Sequence, residues 1–209
     1  MNYTMKRSEC LESVAALLKD APCLITVGRA WTEWLALRPG PGNFQMKTLG
    51  SGSSLGLGLA LALPHRKIIV IDGDGAVSMN VNGLLTVGRK RPKNLVHLVF
   101  DNRMYESSGA LPTASTDGID LNAVALGAGI ASARRVDTVA SFKSEVEKAM
   151  TTDGPHFIIA NVVTPGRAAA PAYSRTDDVE GKFAFIRFLE QLESRRILED
   201  AIDVRQSIQ

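Results

Sequence analysis

IDGDGAVSMNVNGLLTV, residues Ile71 to Val87, decides how this chain folds. The run Lys67-Ile68-Ile69-Val70-Ile71 leads into Asp72-Gly73-Asp74-Gly75, after which apolar residues recur at a helical period. The order is therefore strand, tight turn, helix. In an α/β sheet such a turn lies at the carboxyl end of a strand, where open parallel sheets bind ligands, and the helix start offers unpaired N–H groups to an anion. A phosphate-bearing ligand is the first expectation.

A second apolar run, Leu95 to Phe100, ends in Asp101-Asn102. If the two strands are neighbours joined by the intervening helix, Asp74 and Asn102 meet at one sheet edge. A carboxylate and an amide oxygen make a hard-oxygen set suited to magnesium or calcium, with the remaining positions left to phosphate oxygens and water. GDG alone is weak, because Gly and Asp are ordinary turn residues. Strand, GDG, helix, strand and Asn in that order, within one βαβ unit, is far more specific.

Length and composition bound the rest. The 209 residues suit one α/β domain with an appendage, and a hydrophobic content of 45% supports a packed core. The formal net charge is +2, and the pairs and triplets Arg66-Lys67, Arg89-Lys90-Arg91 and Arg134-Arg135 lack interleaved aromatics, so no nucleic-acid partner is expected. Cys10 and Cys23 show neither CxxC spacing nor a Cys/His cluster and read as buried free thiols in a reducing cytosol. The start MNYTMKRSECLE lacks the apolar core of a signal peptide, and Leu55 to Leu63 is far shorter than the roughly 20 residues a spanning helix needs. A soluble, cytoplasmic protein with no membrane partner is expected.

Along the chain, Met5 to Leu18 reads as an amphipathic helix with Leu11, Val14, Ala15, Leu17 and Leu18 on one side. A strand, Cys23 to Val27, precedes Gly28 and a short helix carrying Trp31 and Trp34, and the Pro/Gly loop from Arg38 to Asn43 closes that unit. The stretch from Leu49 to Leu63 is a small-residue helix suited to close approach by a backbone or a ligand. Beyond the second strand come a helix at Leu121 to Gly127, a strand at Ala131 to Val136, a helix at Val139 to Met150 and a buried strand at His156 to Val163. This alternation implies an α/β fold with a doubly wound parallel sheet. Residues 164–180 read as loop, closing a domain of residues 1–180, and 181–209 as a helix, Lys182 to Leu198, plus a tail. His65, His97 and His156 read as structural.

The GDG unit and its downstream Asn resemble the diphosphate and metal motif of thiamine diphosphate enzymes, with Asp101-Asn102 in place of the family's usual Asn pair. NFQMKTLGSGSSLGLGLALALPHRKIIVIDGDG followed by PKNLVHLVFDNRMYESSGALPT is similar to the cofactor-binding subunit of two-subunit 2-oxo acid decarboxylases, the sulfopyruvate and phosphonopyruvate group. The resemblance implies a thiamine diphosphate-binding fold. It implies a metal, Mg2+ or Ca2+, held by Asp74, Asn102 and the Met104 carbonyl. It places Gly28, Arg29, Leu49, Gly50, Gly73, Gly75, Ala76 and Tyr105 about the cofactor, with Leu49 propping its bent shape although Met is common there. Arg29 reads equally well as a phosphate contact or an exposed helix-start residue. Glu106 stands where many relatives have Gly, and is a weak candidate acid or base beside the substrate or else a solvated loop residue.

In the family the activating Glu belongs to a separate pyrimidine-binding domain. The resemblance therefore implies a pyrimidine-domain partner subunit in a hetero-oligomer acting on a small 2-oxo acid. Trp31, Trp34 and the Leu49 to Leu63 helix are candidates for the shared surface, although a lone Trp is more often a core residue. An acetolactate-synthase-like carboligase and a non-catalytic cofactor-binding protein remain open. A Rossmann nucleotide site fits less well, since the G-x-G-x-x-G spacing is missing.

Overall fold

The computed structural model describes residues 4–163 and 178–197. Its strands are β1 (Cys23–Thr26), β2 (Asn43–Met46), β3 (Ile68–Gly73), β4 (Leu95–Asp101), β5 (Met104–Tyr105), β6 (Leu111–Pro112), β7 (Ser132–Val136) and β8 (His156–Asn161). Its helices are α1 (Arg7–Ala15), α2 (Arg29–Leu37), α3 (Gly52–Ala62), α4 (Asp74–Met79), α5 (Asn82–Lys90), α6 (Leu121–Gly127), α7 (Val139–Thr151) and α8 (Asp178–Glu193). Six strands form one parallel sheet in the order β2-β1-β3-β4-β8-β7, while β5 and β6 pair as a small antiparallel ribbon.

Alternation along each strand sends successive side chains to opposite faces, and both faces are covered. Ile25, Ile69, Ile71, Val96, Leu98 and Ile158 face α1, α2 and α7, whose Leu11, Val14, Trp34, Phe142 and Val146 complete one core. Leu24, Ile68, Val70, Val99 and Ile159 face α3, α5, α6 and α8 through Leu57, Leu84, Ala125 and Phe185. Strands buried on both faces read as continuous apolar runs, which is why the doubly wound sheet was legible in the sequence. Among the described residues no helix is long and apolar enough to cross a membrane.

Four departures have physical reasons. Strand β2 was not anticipated, because Asn-Phe-Gln-Met carries little apolar signal and follows a Pro/Gly loop; it forms by parallel pairing with β1, Phe44 beside Leu24. The helix after GDG is two helices, broken at Asn80, whose side-chain amide donates to the Gly50 carbonyl at 3.0 Å. Trp31 and Trp34 are core residues, 3% and 0% exposed, and not part of a shared surface; the Trp34 ring N–H donates to Asn43 at 2.8 Å. Helix α8 begins at Asp178, ahead of the expected Lys182, and buries Phe185 and Leu189 against the sheet, so the expected division at residue 180 falls inside a helix. The loop expected at 164–180 lies outside the described residues as far as 177, as does Leu198.

Leu17 is exposed, because the helix ends at Ala15. Cys10 and Cys23 are buried and free, and burial pushes both thiols up to about 12, where they are inert as nucleophiles.

Helix α5 meets the α6 end at Gly88 with no room for a side chain: a Cβ there would lie 1.8 Å from the Ala128 carbonyl oxygen. Backbone cannot swing aside as a flexible side chain can. Gly88→Ala is expected to destabilise the fold by about 3 kcal/mol, the upper part of the usual cost of overpacking. Urea denaturation measures this, and a midpoint equal to wild type would show that the two helices part freely.

Candidate functional site

From β1 the chain crosses to β2 on one side and later returns to β3 on the other, so the sheet order reverses between β1 and β3. Open α/β sheets bind ligands outside the carboxyl ends of strands at such a switch point. A cleft of about 550 Å3, partly open to solvent, lies there. Val27, Gly28 and Arg29 follow β1, Asp72 to Ala76 span the β3–α4 turn, and Asn102, Met104, Tyr105 and Glu106 follow β4, and all line it. Leu49 enters from the turn before α3. Gly50 is absent from the lining. It sits behind with φ at +80°, its carbonyl taken by Asn80, and a Cβ would press on the Asn80 side chain at 2.8 Å.

The register explains why Asp74 and Asn102 meet. Gly73 pairs with Phe100, so the next residues on the two strands leave the sheet side by side. Asp74 is 1% exposed, and its carboxylate accepts a short hydrogen bond from the Thr113 hydroxyl. Burial pushes its carboxyl up to about 6; Asp101 pushes the same way, while Thr113 and the N–H groups of Gly75 and Asn102 oppose. The Asn102 side-chain oxygen accepts from the Met104 N–H at 3.1 Å, turning the chain so that Met104 also faces the cleft. A buried carboxylate held at such a cost, in one cleft with the Asn102 amide, is a hard-oxygen donor set of the kind that suits a divalent cation. Among the described residues there is no cluster of three His, Cys, Asp or Glu.

Gly75 supplies the floor: a Cβ there would sit 2.4 Å from the Tyr105 ring, which covers it. Above β1, the Gly28 φ of +96° turns the chain into α2, and Ser107 packs on it.

Arg7, Arg29 and Glu106 also line the cleft. Arg7, 6% exposed, grips Glu33 with two N–H donors at 2.8 and 3.0 Å and donates a third to Glu106 at 3.0 Å. Burial pulls the Arg7 pKa down, but Glu33 and then Glu106 outweigh it and hold it above the ordinary value. Arg29 lies 3.6 Å from the second Glu106 oxygen and is about a third exposed, neither free nor fully solvated. Glu106 is thus an ion-paired residue and not a solvated one. The histidines lie outside the cleft lining: His65 pairs with Glu193, His97 is buried against Phe157 and Asp72, and His156 lies beside Thr152.

Sequence reasoning missed Arg7, Glu33, Thr113 and Asp72. An Arg opening a helix reads as solvated surface, and nothing local signals its burial. Thr113 was detectable in principle, as it follows the ribbon in which Met104 pairs with Pro112.

The raised Asp74 pKa fixes a sign. The folded, cation-free chain holds a proton on Asp74 up to about pH 6, the unfolded chain only to 3.8, so this residue stabilises the fold below 3.8 and that contribution is lost as pH rises through 6. Two units correspond to about 3 kcal/mol. Without divalent cation, Asp74→Asn is expected to gain stability over wild type by about that much between pH 4 and 7, read from paired urea curves. A constant difference across that range would remove the burial argument.

The family profile described as "Thiamine pyrophosphate enzyme, C-terminal TPP binding domain" matches residues 33–160. Sulfopyruvate decarboxylase subunit beta of Methanothermobacter thermautotrophicus is 35% identical over 189 residues, which are 90% of this chain and 96% of that one. Phosphonopyruvate decarboxylase of Streptomyces viridochromogenes is 37% identical over 146 residues, 69% of this chain but only 36% of its own length. Benzoylformate decarboxylase from Polynucleobacter necessarius shares the fold with a TM-score of 0.61 at 18% identity, over 76% of this chain and 33% of that one.

Proposed function

Since this chain belongs to the thiamine pyrophosphate enzymes, as their C-terminal TPP binding domain, we propose that it is the cofactor-binding subunit of a thiamine diphosphate-dependent decarboxylase of a small 2-oxo acid. The observation that carries the reading is the convergence of Asp74, Asn102 and Met104 with the Gly73–Ala76 turn in one cleft at the switch point.

In this reading Asp74, Asn102 and the Met104 carbonyl would hold magnesium or calcium, and the turn at Gly75 and Ala76 would face the diphosphate that the cation neutralises. Arg29 adds a positive charge above β1. Thiamine diphosphate, when bound, supplies the electron sink for the carbanion left as carbon dioxide departs. Gly73 leaves open space where a Cβ would stand, and Gly75 leaves room for the Tyr105 ring, which covers the turn. The relative matched nearly end to end is called a subunit, while the phosphonopyruvate decarboxylase is matched over about a third of its length. A partner that brings a pyrimidine-binding domain accounts for both. Sulfopyruvate and phosphonopyruvate are the first substrates to try, and a cytoplasmic location belongs to the same reading.

Titration calorimetry of the chain with thiamine diphosphate, with and without magnesium, tests the cofactor assignment. Cation-dependent binding is expected, and binding indifferent to the cation would sink it. Leu49 is read as the prop beneath the cofactor's bent shape. Leu49→Ala is expected to lower turnover of the assembled enzyme on the order of a hundredfold, since misplacement of about 1 Å costs that much, while cofactor affinity changes little. Unchanged turnover at saturating cofactor would make Leu49 ordinary packing.

A further inference from the structure

We propose that Arg7 is a positioning residue for the cofactor cleft, fixing the segment 102–113 over it through the ion pair with Glu106. The inference rests on the cofactor reading above but concerns residues that the metal and diphosphate motif does not include.

Almost everything that covers the cleft hangs from this one segment. Asn102 and Met104 line it, Tyr105 lies over Gly75, Ser107 packs on Gly28, and Thr113 holds Asp74. The two ends of the segment are anchored, with Asn102 and Thr113 buried and Thr113 bonded to Asp74, but the stretch between them has little to fix it. Its ribbon pairs only Met104 with Pro112 and Tyr105 with Leu111, and residues 107–112 are exposed, Leu111 to 61%. A two-stranded ribbon of two residues a side is marginal by itself.

Within that stretch Glu106 is tied inward, its side chain 13% exposed. Arg7 can hold it because Arg7 is itself held. Both oxygens of Glu33 engage its planar guanidinium, and α1 is seated in the core by Cys10, Leu11 and Val14. A rigid fork on one helix, clamped by a second, thus reaches the tip of an otherwise weakly supported segment. Removing one partner of a buried pair leaves the other charge uncompensated, so Glu106 would turn toward water and draw Tyr105 and Ser107 with it.

The test uses the full chain. Arg7→Met and the milder Glu106→Gln are each expected to weaken binding of thiamine diphosphate with magnesium by about fivefold or more, the lower end of usual coupling between sites. Both should speed amide exchange within 103–113, and the double variant should bind no worse than the weaker single, as two members of one link do. Arg7→Lys, which keeps the charge but not the fork, should fall between wild type and Arg7→Met.

A lower melting midpoint with unchanged affinity, whether or not exchange changes, would reduce Arg7 to a tie between α1 and α2 and overturn the proposal. If wild type takes up no thiamine diphosphate, the cofactor reading fails separately and exchange alone decides. Faster exchange confined to 103–113 then supports the link, and unchanged exchange refutes it.

Discussion

Asp74→Ala abolishes magnesium-supported uptake of thiamine diphosphate and leaves the fold intact. Asp74 is the one carboxylate in the proposed cation set, beside the amide of Asn102 and the carbonyl of Met104. A hard divalent cation held by a single anionic protein ligand loses most of its electrostatic retention with that ligand. Changing groups that merely support metal ligands typically costs about 10–100-fold in affinity, so loss of the ligand itself should exceed that. The fold should survive for a reason the sequence did not reveal. Asp74 is buried, and burial raises its carboxyl to about 6, so in the cation-free protein at neutral pH it is an unfavourable charge. Ala removes that charge and leaves the Thr113 hydroxyl without its acceptor, a smaller loss. Calorimetry with magnesium, together with a urea curve, checks both halves. Affinity within a few-fold of wild type would end the assignment of Asp74 as the ligand.

The parts of this molecule legible in the sequence are those in which one short-range pattern has one meaning. Strands β3, β4 and β8 are apolar runs because both their faces are buried, and the turn after β3 announces itself by the turn-forming residues Gly and Asp. Adjacency of β3 and β4 followed from a right-handed crossover of ordinary length, and it brought Asp74 and Asn102 together as expected. What stayed hidden depends on contacts between distant segments. Strand β2 exists because β1 offers a free edge, not because Asn43 to Met46 prefers extension. The partners of Glu106 lie on α1 and α2, and an Arg at residue 7 looks like any solvated helix start. The two tryptophans carried a true signal of burial, but composition could not say whether the cover was this chain or another.

The isolated chain should release no measurable carbon dioxide from sulfopyruvate, phosphonopyruvate or pyruvate, and should gain turnover when a pyrimidine-domain partner is added. In the proposed reading, thiamine diphosphate would supply its electron sink only with a carboxylic acid set against its pyrimidine ring, which the resemblance assigns to the partner. Such an acid must be free to exchange its proton. The acids that line this cleft are each engaged. Asp74 accepts from Thr113 and faces the proposed cation; Asp72 accepts from the Gly73 N–H at 3.0 Å and lies beside His97; Glu106 is held by Arg7, with Arg29 nearby. A positioned acid or base typically contributes about 10²–10⁴-fold, so its absence alone brings turnover near background. The cleft is also the edge of one sheet, walled on one side by Arg7, Arg29 and Glu106 and open to solvent on another, where a second subunit would complete it. Carbon dioxide release is measured with the chain alone, with partner alone and with both, and acetolactate formation from pyruvate is followed in parallel to distinguish carboligation. Strong turnover by the chain alone would refute the divided site. Loss of that turnover in Glu106→Gln at saturating cofactor, with turnover retained in Arg7→Met, would then assign the acid to Glu106, freed from Arg7 when substrate binds.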